Sequence, residues 1–228
     1  MSGFDYVKSN YNSLLEEIAS LGKKAGREIT LVAVTKSGSD EELLALADAG
    51  VSDIGENRPG ELQRRGELLM KAGYMPRLHE IGNLQRNMVK LIIGEVELIH
   101  SLDSMALAME IEKQAKKIGR RVRVLVEVNS AREEQKGGVM PEEAEEFILE
   151  VKQLPHLEVA GLMTMGPVCA DPEDIRPYFR ETKELFDRLN RKRLFTEQIL
   201  SMGMSDSYAI AIEEGATLVR VGRKLFNR

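Results

Sequence analysis

Short apolar runs alternate with longer amphipathic segments along nearly the whole chain. The apolar runs are rich in Val, Ile and Leu, which is typical of buried β-strands. Turn residues such as Gly, Asn, Ser and Asp follow most of the runs. The pattern predicts eight strands, over residues 30–36, 51–54, 77–81, 96–101, 122–128, 157–164, 198–202 and 217–221.

The segments between these strands carry apolar residues at helical spacing. A further amphipathic helix is predicted ahead of the first strand, over residues 4–25, and Gly26 follows its end. The other predicted helices cover 40–48, 61–71, 84–92, 103–117, a segment that starts at Pro141, 174–191, and a segment that ends near Gly215.

Eight strands in alternation with helices are the pattern of a (β/α)₈ (TIM) barrel, an α/β fold. No linker or change of composition divides the chain, so we expect one barrel domain over residues 1–228, with residues 1–26 as an extra N-terminal helix packed on it. An open doubly wound sheet is the alternative. That fold would usually carry a Gly-rich phosphate turn after its first strand, and the turn Lys36-Ser37-Gly38-Ser39 lacks this fingerprint.

Composition narrows the choice of partners and compartment. The net charge of −5 lacks the excess of positive charge that binds a polyanion, so we expect no nucleic-acid partner. Cys169 is the lone cysteine, which rules out an internal disulfide and fits a reducing compartment. Neither a signal peptide nor a membrane-spanning apolar run is visible, so we expect a cytoplasmic protein without a membrane partner.

Lys36 closes the first apolar run, Thr30-Leu31-Val32-Ala33-Val34-Thr35. Lysine is rarely buried without a partner. One interpretation is a side chain that reaches from the end of a core strand into solvent. The other is an amine held in a pocket, where it attacks a carbonyl carbon and forms a Schiff base.

The last two strands predict a phosphate site. The loop 201–206, with sequence Ser-Met-Gly-Met-Ser-Asp, follows the seventh strand, and Gly222 follows the eighth. Phosphate often binds at these two loops of a barrel. Glycine allows a tight turn and a close approach of the backbone to a ligand. Taken alone, the Ser-Asp pair would more simply cap a helix.

Arg220 lies inside the apolar run of the eighth strand. A guanidinium that points into the barrel needs an acceptor, whereas one that points outward could pair with a surface carboxylate. An amine, an arginine and a phosphate cradle in one mouth suggest a phosphorylated carbonyl compound, such as a phosphosugar or pyridoxal 5′-phosphate (PLP). No metal site is expected, because His79, His100 and His156 lack metal-ligand spacing, and the latter two are predicted to be structural.

Several motifs together resemble the PLP homeostasis family over about residues 29–226. They are LVAVTK (31–36), GENR (55–58), IGNLQRN (81–87), EVN (127–129) with KGG (136–138), GLMTMGP (161–167), SMGMSD (201–206) and RVG (220–222). The resemblance implies the barrel fold of the alanine racemase N-terminal domain.

The resemblance also implies roles for individual residues. Lys36 would carry PLP as a Schiff base, Arg220 would face the pyridine nitrogen, and Asn57 would lie near the cofactor. The phosphate would be held by Ser201, Gly203, Ser205 and Gly222. The chain departs from the family at Met88, where lysine is usual, and at Arg223, where serine or threonine is common.

The implied chemistry favours binding over catalysis. PLP withdraws electrons most strongly when its ring nitrogen is protonated, and an arginine cannot accept that proton. A racemase also needs a second base, and we expect no second domain to supply one. We therefore expect a monomer that binds PLP and exchanges it with PLP-dependent apo-enzymes or amino acids. We expect little or no turnover and assign no catalytic residue. The alternatives are a PLP-dependent amino-acid racemase and a Schiff-base aldolase acting on a phosphosugar.

Overall fold

The computed structural model describes residues 3–133 and 135–227. Eight parallel strands close into a barrel in sequence order, β1 next to β2 and so on round to β8, which pairs with β1. The (β/α)₈ fold expected from the sequence is therefore confirmed. The strands are Thr30–Val34, Asp53–Glu56, Arg77–Glu80, Val96–Leu102, Val122–Glu127, Leu157–Met163, Ile199–Ser201 and Leu218–Val221.

Alternation along the strands divides the core into two parts. Side chains that point outward pack beneath the helices in one large cluster. Side chains that point inward fill the barrel in a small second cluster. That inner cluster consists of Val32, Leu98, Leu125, Ala160, Met163 and Leu218. Above and below it, the barrel interior is polar, and this polar part carries the candidate chemistry.

The helices differ in detail from the sequence prediction. The segment after β3 forms a 3₁₀ turn over Arg86–Met88 and a short helix rather than one helix over 84–92, and the helix after β5 begins at Ala144 rather than Pro141. A short C-terminal helix was not predicted. The α-helices α1 to α9 are Asp5–Ala25, Asp40–Asp48, Pro59–Lys71, Val89–Ile92, Met105–Lys117, Ala144–Val151, Arg176–Arg191, Tyr208–Glu213 and Arg223–Phe226.

Helix α1 lies against α2, α8 and α9 on the outside of the barrel. Its apolar face buries Val7, Tyr11, Leu14 and Ile18. Asn10 Nδ2 ties the helix to the C-terminal segment by donating to the carbonyl of residue 225 at 3.2 Å and to that of residue 227 at 2.8 Å. The first two residues of the expected segment 1–26, and the last residue of the expected domain 1–228, lie outside the described part of the chain.

Strand β1 ends at Val34, two residues earlier than predicted, so Lys36 lies in the following turn. The chain turns here because the Gly38 N–H donates to the Thr35 carbonyl at 2.9 Å. Strand β2 runs over 53–56 rather than 51–54, which places Glu56 within the strand. Apolar patterning locates a strand well but its ends poorly, because turn hydrogen bonds decide the ends.

No helix in the described ranges, 3–133 and 135–227, combines the length and the apolarity needed to cross a bilayer.

Gly161 allows β6 to approach β7 closely. A Cβ at this position would lie 1.8 Å from the Ile199 carbonyl oxygen, which is backbone and cannot rotate away. We expect Gly161→Ala to lower the free energy of unfolding by about 3 kcal/mol, because the two strands must separate. Urea denaturation measures this. Gly60→Ala is the control, since its Cβ meets nothing within 4 Å and should stabilise α3 by at most about 1 kcal/mol. Equal unfolding free energies for wild type and Gly161→Ala would contradict the close approach.

Candidate functional site

The carboxyl ends of the eight strands meet at one mouth of the barrel, where Lys36 is exposed in the turn after β1. Within residues 3–133 and 135–227, no hydrogen bond or ion pair engages its ammonium group. Arg220, on the neighbouring strand β8, pairs in register with Val32. The fold thus brings Lys36 and the loop after Arg220 to the same edge of the barrel.

Buried polar contacts hold the turn that carries Lys36. The Arg65 guanidinium on α3 donates to the carbonyls of Thr35 and Gly38, the latter at 2.8 Å. Glu56 Oε1 accepts from Thr35 Oγ1 at 2.5 Å and lies 3.2 Å from Arg65 Nη1. Because Arg65 and Glu56 are both buried, this pair resists solvent screening. These contacts hold the backbone on both sides of Lys36, from which its exposed side chain extends.

Arg220 is buried inside the barrel and has no carboxylate within ion-pair distance among the described residues. It donates one hydrogen bond to Ser201 Oγ and one to the Thr164 carbonyl at 3.1 Å. Burial lowers its pKa to about 10, and the nearby Glu127 carboxyl opposes this. The guanidinium has five N–H donors, so further N–H groups can donate to a neutral or anionic acceptor in the mouth.

The loops after β7 and β8 lie close together through their glycines and one hydroxyl. Gly203 has a φ of +94°, and a Cβ there would lie 2.5 Å from that of Ala211. A Cβ on Gly222 would lie 2.9 Å from the Val34 carbonyl oxygen. The Gly222 N–H donates to Ser205 Oγ at 3.3 Å. The Gly222–Ser205 contact thus joins the loops after β7 and β8 at one point, where a phosphate group could find backbone N–H and hydroxyl donors.

Ser201 has different partners from those expected of a phosphate ligand. Its side chain is fully buried, and its hydroxyl contacts Arg220 Nη1 and, at 3.0 Å, His100 Nδ1. The sequence predicted that Ser201 would contact the phosphate, because it lies in the same loop as Gly203. Its contacts with the buried Arg220 and His100 show that its side chain points into the barrel interior.

The remaining predicted positions lie around the rim. Asn57 is exposed, and its backbone packs against Gly82, where a Cβ would come within 2.1 Å of the Asn57 carbonyl oxygen. Of the two departures from the family pattern, Met88 is half-buried in the 3₁₀ turn, and Arg223 forms an ion pair with Asp206 on the surface. The Arg223 guanidinium is thereby held beside the phosphate loop by its own partner.

Two buried carboxyl groups near the mouth were not singled out from the sequence. Glu127, at the end of β5, has a pKa of about 7, raised by burial and by nearby Asp103 and lowered by Arg220. Glu80, at the end of β3, is fully buried, and its Oε2 has no hydrogen-bond partner in the structure. Their next-to-last position on the predicted strands 77–81 and 122–128 was the available signal, but sequence alone does not show which carboxyl is shielded from water.

Glu80 makes the stability of the protein depend on pH. Burial raises its pKa to about 8; the hydrogen bond from the Gly82 N–H opposes this, and Glu56 adds to it. The folded state therefore holds the proton of the Glu80 carboxyl more tightly than the unfolded chain does. The stabilisation that this proton gives is complete at low pH and is lost as pH rises through about 8. As pH rises from about 6 to about 9, the free energy of unfolding of wild type should fall by about 2 kcal/mol more than that of Glu80→Gln.

Urea denaturation at a series of pH values measures this difference. Gln can still accept the Gly82 hydrogen bond, so the variant changes the proton and little else. Exposed Glu146→Gln is the control and should follow wild type. Parallel pH curves for wild type and Glu80→Gln would show that Glu80 is charged in the folded protein at neutral pH.

Comparison with known proteins agrees with this geometry. The family profile of the alanine racemase N-terminal domain matches residues 9–227. A pyridoxal phosphate homeostasis protein of Aquifex aeolicus is 43% identical over 216 residues, which cover 93% of this chain and 94% of the relative.

Solved structures are similar over nearly the whole chain. PipY of Synechococcus elongatus, in a structure with PLP bound, is 25% identical with a TM-score of 0.84 and covers 97% of this chain and 100% of its own. Alanine racemase of Clostridium difficile, at 21% identity, has a TM-score of 0.78, covers 98% of this chain and 56% of its own, and shows the shared fold. By both its sequence and its barrel, the chain belongs to the pyridoxal phosphate homeostasis protein family, within the alanine racemase N-terminal domain fold.

Proposed function

We propose that the protein binds PLP as a Schiff base on Lys36 and acts in PLP homeostasis, with little or no catalytic turnover. The observation that carries this proposal is the presence, at one barrel mouth, of the exposed Lys36 amine and the buried Arg220 guanidinium, neither of which has a carboxylate partner among residues 3–133 and 135–227. The PLP-bound structure of a relative and the names of other relatives support the choice of ligand.

PLP supplies an aldehyde, a phosphate and a pyridine ring, and each has a candidate partner in this chain. The Lys36 amine would hold the aldehyde carbon through a C=N bond, with the loss of one water molecule. Gly203, Ser205 and Gly222 offer backbone and hydroxyl contacts for the phosphate. Arg220 offers an N–H to the pyridine nitrogen and cannot accept a proton from it.

Low turnover is proposed because the same residues suit binding better than carbanion chemistry. An arginine beside the ring nitrogen disfavours its protonation and weakens the electron sink. The tyrosines could serve as a second base, but none of the five lies on a strand: Tyr6, Tyr11, Tyr178 and Tyr208 are on helices, and Tyr74 follows α3. Glu127 is the observation that favours the second candidate, an amino-acid racemase, because its pKa of about 7 suits proton exchange.

An absorbance titration with PLP tests the proposal. We expect a visible band from the Schiff base that saturates at one PLP per chain, and no measurable racemisation of alanine by the loaded protein. Robust racemisation would establish the enzyme instead. A colourless protein that cleaves sugar phosphates would establish an aldolase.

The acceptor of bound PLP is the next part of the proposal. We propose that PLP passes to PLP-dependent apo-enzymes or reacts with free amino acids, and that the protein acts as a monomer in the cytoplasm. Transfer is measured by activation of an apo-enzyme on mixing with the loaded protein. Activation no faster than by free PLP released from the protein would contradict direct transfer.

A further inference from the structure

A chain of buried side chains runs through the barrel from Arg220 to the opposite end of the interior. Arg220 on β8 donates to Ser201 Oγ on β7, and Ser201 Oγ lies 3.0 Å from His100 Nδ1 on β4. His100 Nε2 lies 3.0 Å from His79 Nδ1 on β3, and His79 Nε2 lies 2.9 Å from Asp53 Oδ1 on β2. All five side chains are buried, and His100 and Ser201 have no exposed surface.

One direction of hydrogen bonding gives every donor between Arg220 and Asp53 an acceptor. Arg220 can only donate, so Ser201 Oγ accepts from it and gives its own hydroxyl hydrogen to His100 Nδ1. His100 then carries its hydrogen on Nε2 and donates to His79 Nδ1. His79 in turn carries its hydrogen on Nε2 and donates to the Asp53 carboxylate. In this arrangement each donor faces an acceptor.

The charges around the chain agree with this direction. Burial, together with nearby His79 and Arg220, lowers the pKa of His100 well below its ordinary value, so this ring stays neutral. Although burial opposes it, hydrogen bonds from His79 and Arg77 lower the pKa of Asp53, so this end is a carboxylate.

The far end of the chain opens to the floor of the barrel. Asp53 forms a two-point pair with Arg77, through Nε to Oδ1 at 2.7 Å and Nη2 to Oδ2 at 2.6 Å. A floor cavity of about 330 Å³ is lined by Asp53, Arg77 and His79 together with Glu97 and Arg123. Arg77 thus holds Asp53 at the floor of the barrel. From Asp53 the hydrogen bonds continue through His79 and His100 toward the mouth.

We propose that His79 and His100 are positioning residues, which act through Ser201 to hold the Arg220 guanidinium in one orientation toward the mouth of the barrel. The consequence for PLP rests on the proposed function: the fixed guanidinium presents its free N–H to the pyridine nitrogen. In this assignment Ser201 serves Arg220 rather than the phosphate, and the phosphate contact falls to Ser205.

The hydrogen-bond direction is tested in the free protein by ¹⁵N NMR of the histidine rings. We expect His100 and His79 to show an unprotonated Nδ1 and a protonated Nε2, with His156 outside the chain as an internal reference. A protonated Nδ1 on His100 would overturn the proposed direction. This measurement needs neither a variant nor the cofactor, so it stands even if the protein fails to bind PLP.

The positioning role is tested with PLP labelled with ¹⁵N at the ring nitrogen. His100→Phe and Ser201→Ala each interrupt the hydrogen-bonded chain and leave residue 220 itself unchanged. We expect both variants to move the ring-nitrogen resonance toward its value in free PLP Schiff bases and to weaken PLP binding by about tenfold. Leu125→Ala, in the inner apolar cluster, is the control for loss of packing.

The outcomes separate positioning from a purely structural role. The proposal is supported if the resonance moves in the two chain variants and stays in place in Leu125→Ala at a similar loss of stability. It is overturned if the two chain variants keep the wild-type resonance, or if Leu125→Ala moves it as far. Absence of any PLP band in wild type would instead reject the proposed function.

Discussion

Lys36→Arg is expected to abolish the visible Schiff-base band completely. Arginine keeps the positive charge and the length of the side chain, but a guanidinium does not condense with an aldehyde. The turn around residue 36 is held by Arg65 and Glu56, neither of which contacts the Lys36 side chain, so the fold should be unchanged. We expect PLP affinity to fall by about 100-fold, because only non-covalent contacts remain.

Absorbance and equilibrium dialysis measure the two effects separately. Lys90→Arg is the matched control, since Lys90 is exposed on α4 and should leave both band and affinity unchanged. A Lys36→Arg protein that still develops the band at one PLP per chain would show that another lysine holds the cofactor. Such a result would contradict the assignment even though PLP binding itself persisted.

Ser205→Asp is expected to weaken PLP binding by about 100-fold, which is roughly 2.7 kcal/mol. The Ser205 hydroxyl lies beside the Gly222 N–H, between the two loops that would receive the phosphate. A carboxylate at this position would repel the phosphate dianion and occupy the N–H that the phosphate would otherwise approach. Isothermal titration calorimetry gives the affinity directly.

Pyridoxal without its phosphate is the control ligand for this variant. Because it lacks the dianion, its affinity should change by less than about threefold between wild type and Ser205→Asp. Equal losses for PLP and pyridoxal would mean that the substitution damages the mouth as a whole. Unchanged PLP affinity would place the phosphate elsewhere.

The sequence predicted the architecture well because a barrel repeats one simple signal. Runs such as Val122–Glu127 carry valine at every second position, so each marks a strand with one face buried beneath the helices. Local hydrogen bonds were less predictable. The turn that removes Lys36 from β1 depends on Arg65, a residue that looks like part of a charged helix surface but is buried in the structure.

Site residues were predictable from the sequence where the residue type and its position indicate the role. They were not predictable where the role depends on contacts across the barrel. Lys36 and the glycines of the last two loops stand out by their type and position. His100 was predicted to be merely structural, because its partners Ser201 and His79 lie on other strands. Glu127 and Glu80 resemble ordinary carboxylates until their burial is known.

Borohydride reduction followed by peptide mapping tests the central claim most directly. Reduction converts a C=N bond into a stable amine, which fixes the cofactor to the lysine that held it. We expect a single equivalent of label, on the peptide that contains Lys36, and loss of the visible band in step with labelling. Label spread over surface lysines, or concentrated on a lysine other than Lys36, would contradict the account.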